Sequence, residues 1–208
     1  MNIRSLFRQV GISSVCLALS GLGGCAAVDQ KIGLTYARQN SSPIRHSGDI
    51  AVTRSSTTTA VKNNSGAWII GSLNNVHGVH QADLLSDRSP EEWITEALLH
   101  ELRQAGYTVK YAETLPAAVT RGLVITGITT VLAVNKGAVS TDTRHELKFN
   151  VEVFLNGDRV KTLTVVSRDD RTVPLIASRE EKERIMLHSL QDAMQQLIPE
   201  IIVLIDKK

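Results

Sequence analysis

Two imidazoles stand three residues apart in His77-Gly78-Val79-His80. Such a pair can begin a metal site, but zinc takes at least three protein ligands. His46 and His100 lie elsewhere in the chain, so a solvated loop with two incidental histidines is the plainer reading. His100-Glu101 and His145-Glu146 match the start of the zinc-protease motif, which needs a second histidine four residues after the first. Gln104 and Phe149 occupy those places, and both motifs fail. A hydrolase would have to be built around His77, His80 and His100 with no recognisable signature. Beyond residue 25 there is no Gly-x-Ser-x-Gly elbow. The glycine-rich stretch at Gly21 to Gly24 belongs to a different signal. No catalytic, cofactor-binding or metal set emerges. What remains is one thiol, Cys25, at the end of the most apolar N-terminal run and flanked by Gly24 and Ala26.

That run has the build of an export signal. Arg4 and Arg8 form a basic start with no acid, Val10 to Leu22 is weakly apolar, and small residues follow. The run falls short of the ~20 apolar residues that span a bilayer. Leu22-Gly23-Gly24-Cys25 resembles a lipobox, the processing signal of bacterial lipoproteins. The resemblance implies diacylglyceryl transfer to the Cys25 thiol, cleavage before Cys25 and acylation of the new terminus. The alternative is an ordinary secretory signal in which Cys25 is incidental. Two or more acyl chains hold a protein stably on a membrane where one does not. Ala26 in place of Asp, by resemblance to lipoproteins of Gram-negative bacteria, directs the product to the outer membrane, facing the periplasm.

Processing simplifies the composition. Of the two cysteines, Cys16 is removed and Cys25 carries lipid, so no disulfide is available and the core must hold the fold alone. The formal charge of +2 also disappears, because residues 1–24 hold two of the 23 basic residues and none of the 21 acidic ones. A nucleic-acid partner would show as a basic excess, and there is none. The low aromatic content argues against wide stacking platforms for sugars or bases.

Residues 25–48 read as a lipidated tether, rich in Gln, Asn, Ser and Arg. As a flexible coil the tether would average ~25 Å end to end, and stretched it would reach ~75–80 Å. Within it Ile32, Leu34 and Tyr36 alternate and could pair with the domain. A single periplasmic domain is expected over 49–208. Ile50 and Val52 mark a short strand, and Gly71 to Asp87 a loop or irregular hairpin. Ser89-Pro90-Glu91-Glu92 begins a helix with a capping box, and Ile94, Ala97, Leu98, Leu102 and Ala105 form its apolar stripe. Trp93 on its first turn is either an anchor for a partner or a cover for its own core. Gly106 ends the helix, and Tyr107, Val109 and Tyr111 share one face of the next strand.

Leu123 to Val134 is apolar at odd and even positions, as in a central strand covered on both sides. Leu147 to Leu155 alternates most clearly, and Asn156-Gly157 makes a hairpin turn. Arg168-Asp169-Asp170-Arg171 reads as a solvated loop. Ser178 caps a last helix, which Pro199 should kink or split. The pattern predicts an α+β fold in two layers, one mostly antiparallel sheet packed by two amphipathic helices at 89–105 and 178–205.

This layout resembles the YajG-type lipoproteins and, more distantly, the auxiliary lipoproteins of envelope ABC transporters. The resemblance rests on the lipobox, on "SPEEWITEALLHELRQAGYTV", on the strand pair turned at Asn156-Gly157 and on the C-terminal helix. It supplies no catalytic residues. Together these observations lead to a non-enzymatic lipoprotein, held to the membrane through Cys25, with an envelope protein as its partner. The alternative is an accessory of an envelope ABC transport system that holds a lipid or other amphiphile, motivated by the two-sided strand at 123–134. The sequence fixes no oligomeric state.

Overall fold

The computed structural model describes residues 28–37, 46–54, 60–174 and 176–206. The lipidation expected at Cys25 and the signal expected over 1–24 lie outside the described residues. The elements in chain order are β1 (Gln30–Lys31), β2 (Asp49–Arg54), β3 (Val61–Lys62), β4 (Trp68–Asn74), β5 (His80–Ser86), α1 (Pro90–Gln104), β6 (Thr108–Tyr111), β7 (Arg121–Lys136), β8 (Ser140–Leu155), β9 (Asp158–Pro174) and α2 (Arg179–Ile205).

The backbone of the fold is a ladder of three long antiparallel strands, β7–β8–β9. β8 buries Thr141, Thr143, His145, Leu147, Phe149, Val151 and Val153 on one face. Its other face carries charge, with Arg144 and Arg168 both on Asp170, at 2.6 and 2.7 Å. Such one-sided burial is what an antiparallel ladder permits. The tight link to β9 is the expected two-residue turn, with Asn156 at φ 51° and Gly157 at φ 89°. Both signs are what the twist-matched hairpin turn demands. β9 runs on to Pro174, so Arg168-Asp169-Asp170-Arg171 is strand and not the loop expected above. Its charges sit there because the outer face is solvated. Asp169, turned inward, is met by His188 of α2 at 3.0 Å.

The free edge of β7 is shared by two wings. β2 pairs parallel with its first half, from Ala51↔Gly122 to Arg54↔Ile125, and carries β6 outside it. β4 pairs parallel with its second half, from Gly71↔Leu132 to Asn74↔Asn135, and carries β3, β5 and β1. The nine-stranded sheet is therefore mixed rather than mostly antiparallel, with four parallel and four antiparallel pairings. Short strands with alternating residues do not betray their direction, and long excursions return β6 and β7 alongside β2.

The apparent two-sidedness of residues 123–134 has a local cause. One extra residue stands in β7 between the pairs Thr126↔Asn150 and Thr129↔Lys148, where Gly127 takes φ 60°. A bulge of this kind moves every later side chain to the other parity. Leu123 and Ile125 before it, and Ile128, Leu132 and Val134 after it, thus share one buried face, while Val131 is 46 % exposed. β7 is covered on one side only.

Both helices contribute to the core that this face buries. Ile94, Ala97, Leu98 and Leu102 of α1, and Ile185, Met186, Leu190, Met194 and Ile201 of α2, join the inward residues of the sheet in one cluster. Ser89 accepts the Glu92 N–H at 3.1 Å and Ser178 that of Glu181 at 3.2 Å, which satisfies an orphan donor at each helix start. α2 continues through Pro199 without interruption.

Candidate functional site: the docked N-terminal segment

The first described residues carry the most cross-linked local structure. Residues 28–37, expected in the tether, belong to the folded domain: Ile32 and Leu34 are 2 % and 4 % exposed. Gln30 and Lys31 pair in parallel with Leu84 and Leu85 of β5, and Ile32 N–H continues the ladder to the Leu85 carbonyl at 2.8 Å. Beyond Ile32 the chain leaves the sheet, and both helices supply its hydrogen bonds. From α2, Lys182 donates to Gln30 Oε1 at 2.7 Å, Glu183 accepts from Gly33 N–H at 2.7 Å, and Gln191 donates to the Ala37 carbonyl. From α1 and its approach, Arg88 reaches the Leu34 carbonyl at 3.3 Å, Trp93 Nε1 donates to the Thr35 carbonyl at 2.9 Å, and Tyr36 donates to Glu101 at 2.6 Å. These bonds answer the accounting problem of a buried loop, whose backbone groups must find partners.

Farther on, His46 stacks on Tyr107 at 5.5 Å and meets Asp206 at 2.8 Å, beside the end of α2. Tyr107 donates to the same carboxylate at 2.8 Å, and burial together with that acid pushes its phenol above its ordinary range. The folded unit thus starts well before residue 49. The periodicity of Ile32, Leu34 and Tyr36 was its only signal in the sequence. The bonding partners, spread from Arg88 to Asp206, have no local pattern.

Trp93 is 1 % exposed, so it anchors its own core and this segment rather than a partner. Lys182 is buried among the segment's polar atoms. Burial first, and Lys136 nearby second, push its ammonium below the usual lysine range. Its bonds to Gln30 Oε1 and the Ala177 carbonyl, at 2.7 and 2.9 Å, offset that cost.

The histidines singled out in the sequence do not converge. His77 and His80 sit exposed at the β4–β5 turn, with His80 3.3 Å from Asp83. His100 lies on α1 with its ring edge-on to Tyr36 at 5.8 Å. Among the described residues no three His, Cys, Asp or Glu side chains are grouped as metal ligands.

His145 is different. It is wholly buried on the inner face of β8, its Nε2 lies 2.8 Å from Thr130 Oγ1, and its Nδ1 has no partner. Which nitrogen holds the proton depends on the tautomer. Burial pushes its pKa down to about 3, so the ring is neutral in the fold. In the unfolded chain it titrates near 6.5. Below that pH the unfolded chain binds a proton that the fold refuses. Stability therefore falls as pH drops from 6.5 toward 3, by up to ~1.4 kcal/mol per pH unit, and this group adds no slope above 6.5. Urea midpoints measured at pH 7.5 and 5 are expected to separate more in the wild type than in His145→Leu. Equal separations would show that His145 is not buried neutral.

Thr130 also borders a cleft of about 530 Å³, which opens where the edge of β7 passes from β2 to β4. Val61, Ile69, Ile70, Ile128 and Val131 make its lining mainly apolar.

No family model matches the chain, and no curated protein matches it. Solved structures with a similar arrangement include a DUF330 protein from Xanthomonas campestris, at 9 % identity and TM-score 0.49, covering 84 % of this chain and 95 % of that one. A minor lipoprotein from Acinetobacter baumannii follows at 11 % identity and TM-score 0.37, covering 64 % and 91 %. The rare lipoprotein B from Shewanella oneidensis stands at 14 % identity and TM-score 0.37, covering 64 % and 97 %. All three scores fall below 0.5, too slight a likeness to carry a function across.

Proposed function

We propose that this chain is a non-enzymatic lipoprotein of a Gram-negative envelope. In this reading the lipid on Cys25 holds it to the outer membrane, and its α+β domain engages another envelope component from the periplasmic side. The observation that carries the reading is the lipobox at Leu22 to Cys25, joined within five residues to a segment bonded into the fold. An anchor with so short a lead holds the whole domain close to the lipid, where a long tether would let it roam. Among the described residues no helix is long and apolar enough to cross a membrane.

The test is the intact mass of protein purified from membranes. A di- or triacylated species beginning at Cys25, absent from Cys25→Ala, is expected. An unmodified soluble product would remove the anchor. A second reading, an accessory that holds an amphiphile, draws on the apolar cleft lined by β3, β4 and β7. A native mass spectrum of the same preparation showing no bound lipid would remove it.

A further inference from the structure

One end of the sheet gathers exposed apolar side chains that nothing else in the fold explains. The registers align His80 with Asn74, Asn74 with Asn135, Asn135 with Asp142 and Asp142 with Thr172. This rung crosses five strands. Immediately beyond it lie three connections: the β4–β5 turn at 75–79, the β7–β8 turn at 137–139, and the passage from β9 to α2. They present Val76, Val79, Val139 and Ile176, and the incoming chain adds Val28. These five are 56–80 % exposed, and they make up nearly half of the eleven large apolar residues that the described surface exposes. Scattered singly, such residues need no explanation, but a group on one end calls for an occupant. The residues 75–79, 137–139 and 176–178 also contain no acid, and His77 is their one ionisable side chain.

The chain itself says what lies against this end. β1 runs parallel to β5, so going back from Gln30 toward Cys25 the chain heads along β5 toward His80 and the 75–79 turn. Asp29 confirms the path by accepting the Asp83 N–H at 2.9 Å. Lys182 near the start of α2 holds Gln30, Gln191 at its middle holds Ala37, and Asp206 at its far end meets His46. The described segment therefore leads away from this end, and Val28, where the chain from Cys25 joins it, starts nearest to it. Val28 stands three positions after Cys25, a reach of at most ~11 Å.

We propose that this end of the domain rests on the bilayer, with Val76, Val79, Val139 and Ile176 inserted at the headgroup boundary beside the lipid on Cys25. The proposal rests on the lipoprotein reading for the anchor's position. Apolar tips at the interface add to binding in proportion to the area they bury. The three turns themselves carry no acid to repel an anionic surface. The contact fixes the orientation of the domain: the 156–157 turn points into the periplasm, and the long strands stand away from the membrane.

The full-length precursor, expressed and processed in cells, supplies the test. Acylation blocks the Cys25 thiol, and protein found unacylated is labelled with both native cysteines replaced by serine, so Val76→Cys, Val139→Cys and Ile176→Cys each accept one environment-sensitive fluorophore. Val160→Cys, near the opposite turn and 48 % exposed, serves as the control. In vesicles of phosphatidylethanolamine and phosphatidylglycerol containing a shallow lipid-borne quencher, the three tip labels are expected to lose emission and the label at 160 to keep it. If the protein is acylated by mass and the tip labels stay as bright as the control, the membrane contact is overturned while the lipoprotein reading stands. Unacylated protein that still floats with vesicles and shows tip quenching keeps the contact and removes the anchor. Unacylated protein that does neither removes both. Tips unquenched in vesicles but shielded from a soluble quencher in native envelopes assign this end to a protein partner and overturn the contact.

Discussion

Trp93→Ala is expected to lower the stability of the mature domain by about 3–5 kcal/mol, the range for deleting a fully buried aromatic side chain. The loss of its hydrogen bond to the Thr35 carbonyl, 2.9 Å long, adds ~1 kcal/mol. Domains of this kind hold only ~5–15 kcal/mol in total, so the variant stands near the edge of folding. The effect is not confined to α1. Trp93 has its ring 6.3 Å from that of His145 on the sheet and its N–H on the Thr35 carbonyl of the N-terminal segment, so the void would open between the two. The N-terminal segment should therefore loosen first, and limited proteolysis should cut ahead of residue 46 before the long strands. Trp93→Phe separates the two causes, because it keeps most of the ring and removes only the N–H. Urea melts followed by far-ultraviolet circular dichroism are the right readout, since Trp93 is one of only two tryptophans. A loss below ~1 kcal/mol for the alanine variant would mean that the ring is not the packed bridge described here.

Much of the fold was legible wherever a rule acts within a few residues. Ser89 and Ser178 announced both helices because capping needs only a side-chain oxygen three residues ahead of an N–H. Asn156-Gly157 announced the longest hairpin because few residues other than these accept positive φ. β8 showed itself by strict alternation. The sequence failed where two remote pieces decide the outcome. β2 and β4 run parallel to β7, and neither carries a mark of the partner it meets. The bulge at Gly127 scrambled the parity of β7 and mimicked a strand buried on both faces, so the argument for a sheet-enclosed amphiphile lost its first support and now rests on a cleft.

The candidate site was the least legible part. Polar composition made residues 26–48 read as tether, yet the backbone of 33–37, with the side chains of Gln30 and Tyr36, bonds to residues more than fifty positions away, on or just before two helices. A buried segment without regular structure looks like a loop in sequence because its partners are side chains of other elements. The proposed site at Cys25 is of the opposite kind: an export signal is read by enzymes on an unfolded chain, so all of the information for that proposal is local.

Substitution of Gly71 carries the second large expected effect, and it tests the junction on which the two-winged sheet depends. β4 meets β7 through only four positions, Gly71 to Asn74 against Leu132 to Asn135. A Cβ on Gly71 would stand 2.7 Å from the carbonyl carbon of Leu132 and nearer still to its oxygen. That neighbour is backbone held on its other side by β8, so it cannot swing away as a flexible side chain would. A glycine in a strand often marks such a close approach of two chains. Gly71→Ala is therefore expected to cost ~4 kcal/mol or more, in the rare upper range for a single substitution. Ser72→Ala, the next position in the same strand, is expected to change little. Hydrogen exchange should show where the damage falls. Amides of β4 and β5 should lose protection in Gly71→Ala while the β8–β9 ladder keeps it, because the ladder does not pass through Gly71. Uniform loss of protection would instead show the two wings to be one cooperative unit. The wing at stake carries β1 and the 75–79 turn, so its release would also free the segment that joins the domain to Cys25. In the acylated protein the lipid would stay in the membrane and the domain would swing from it on an unfolded lead.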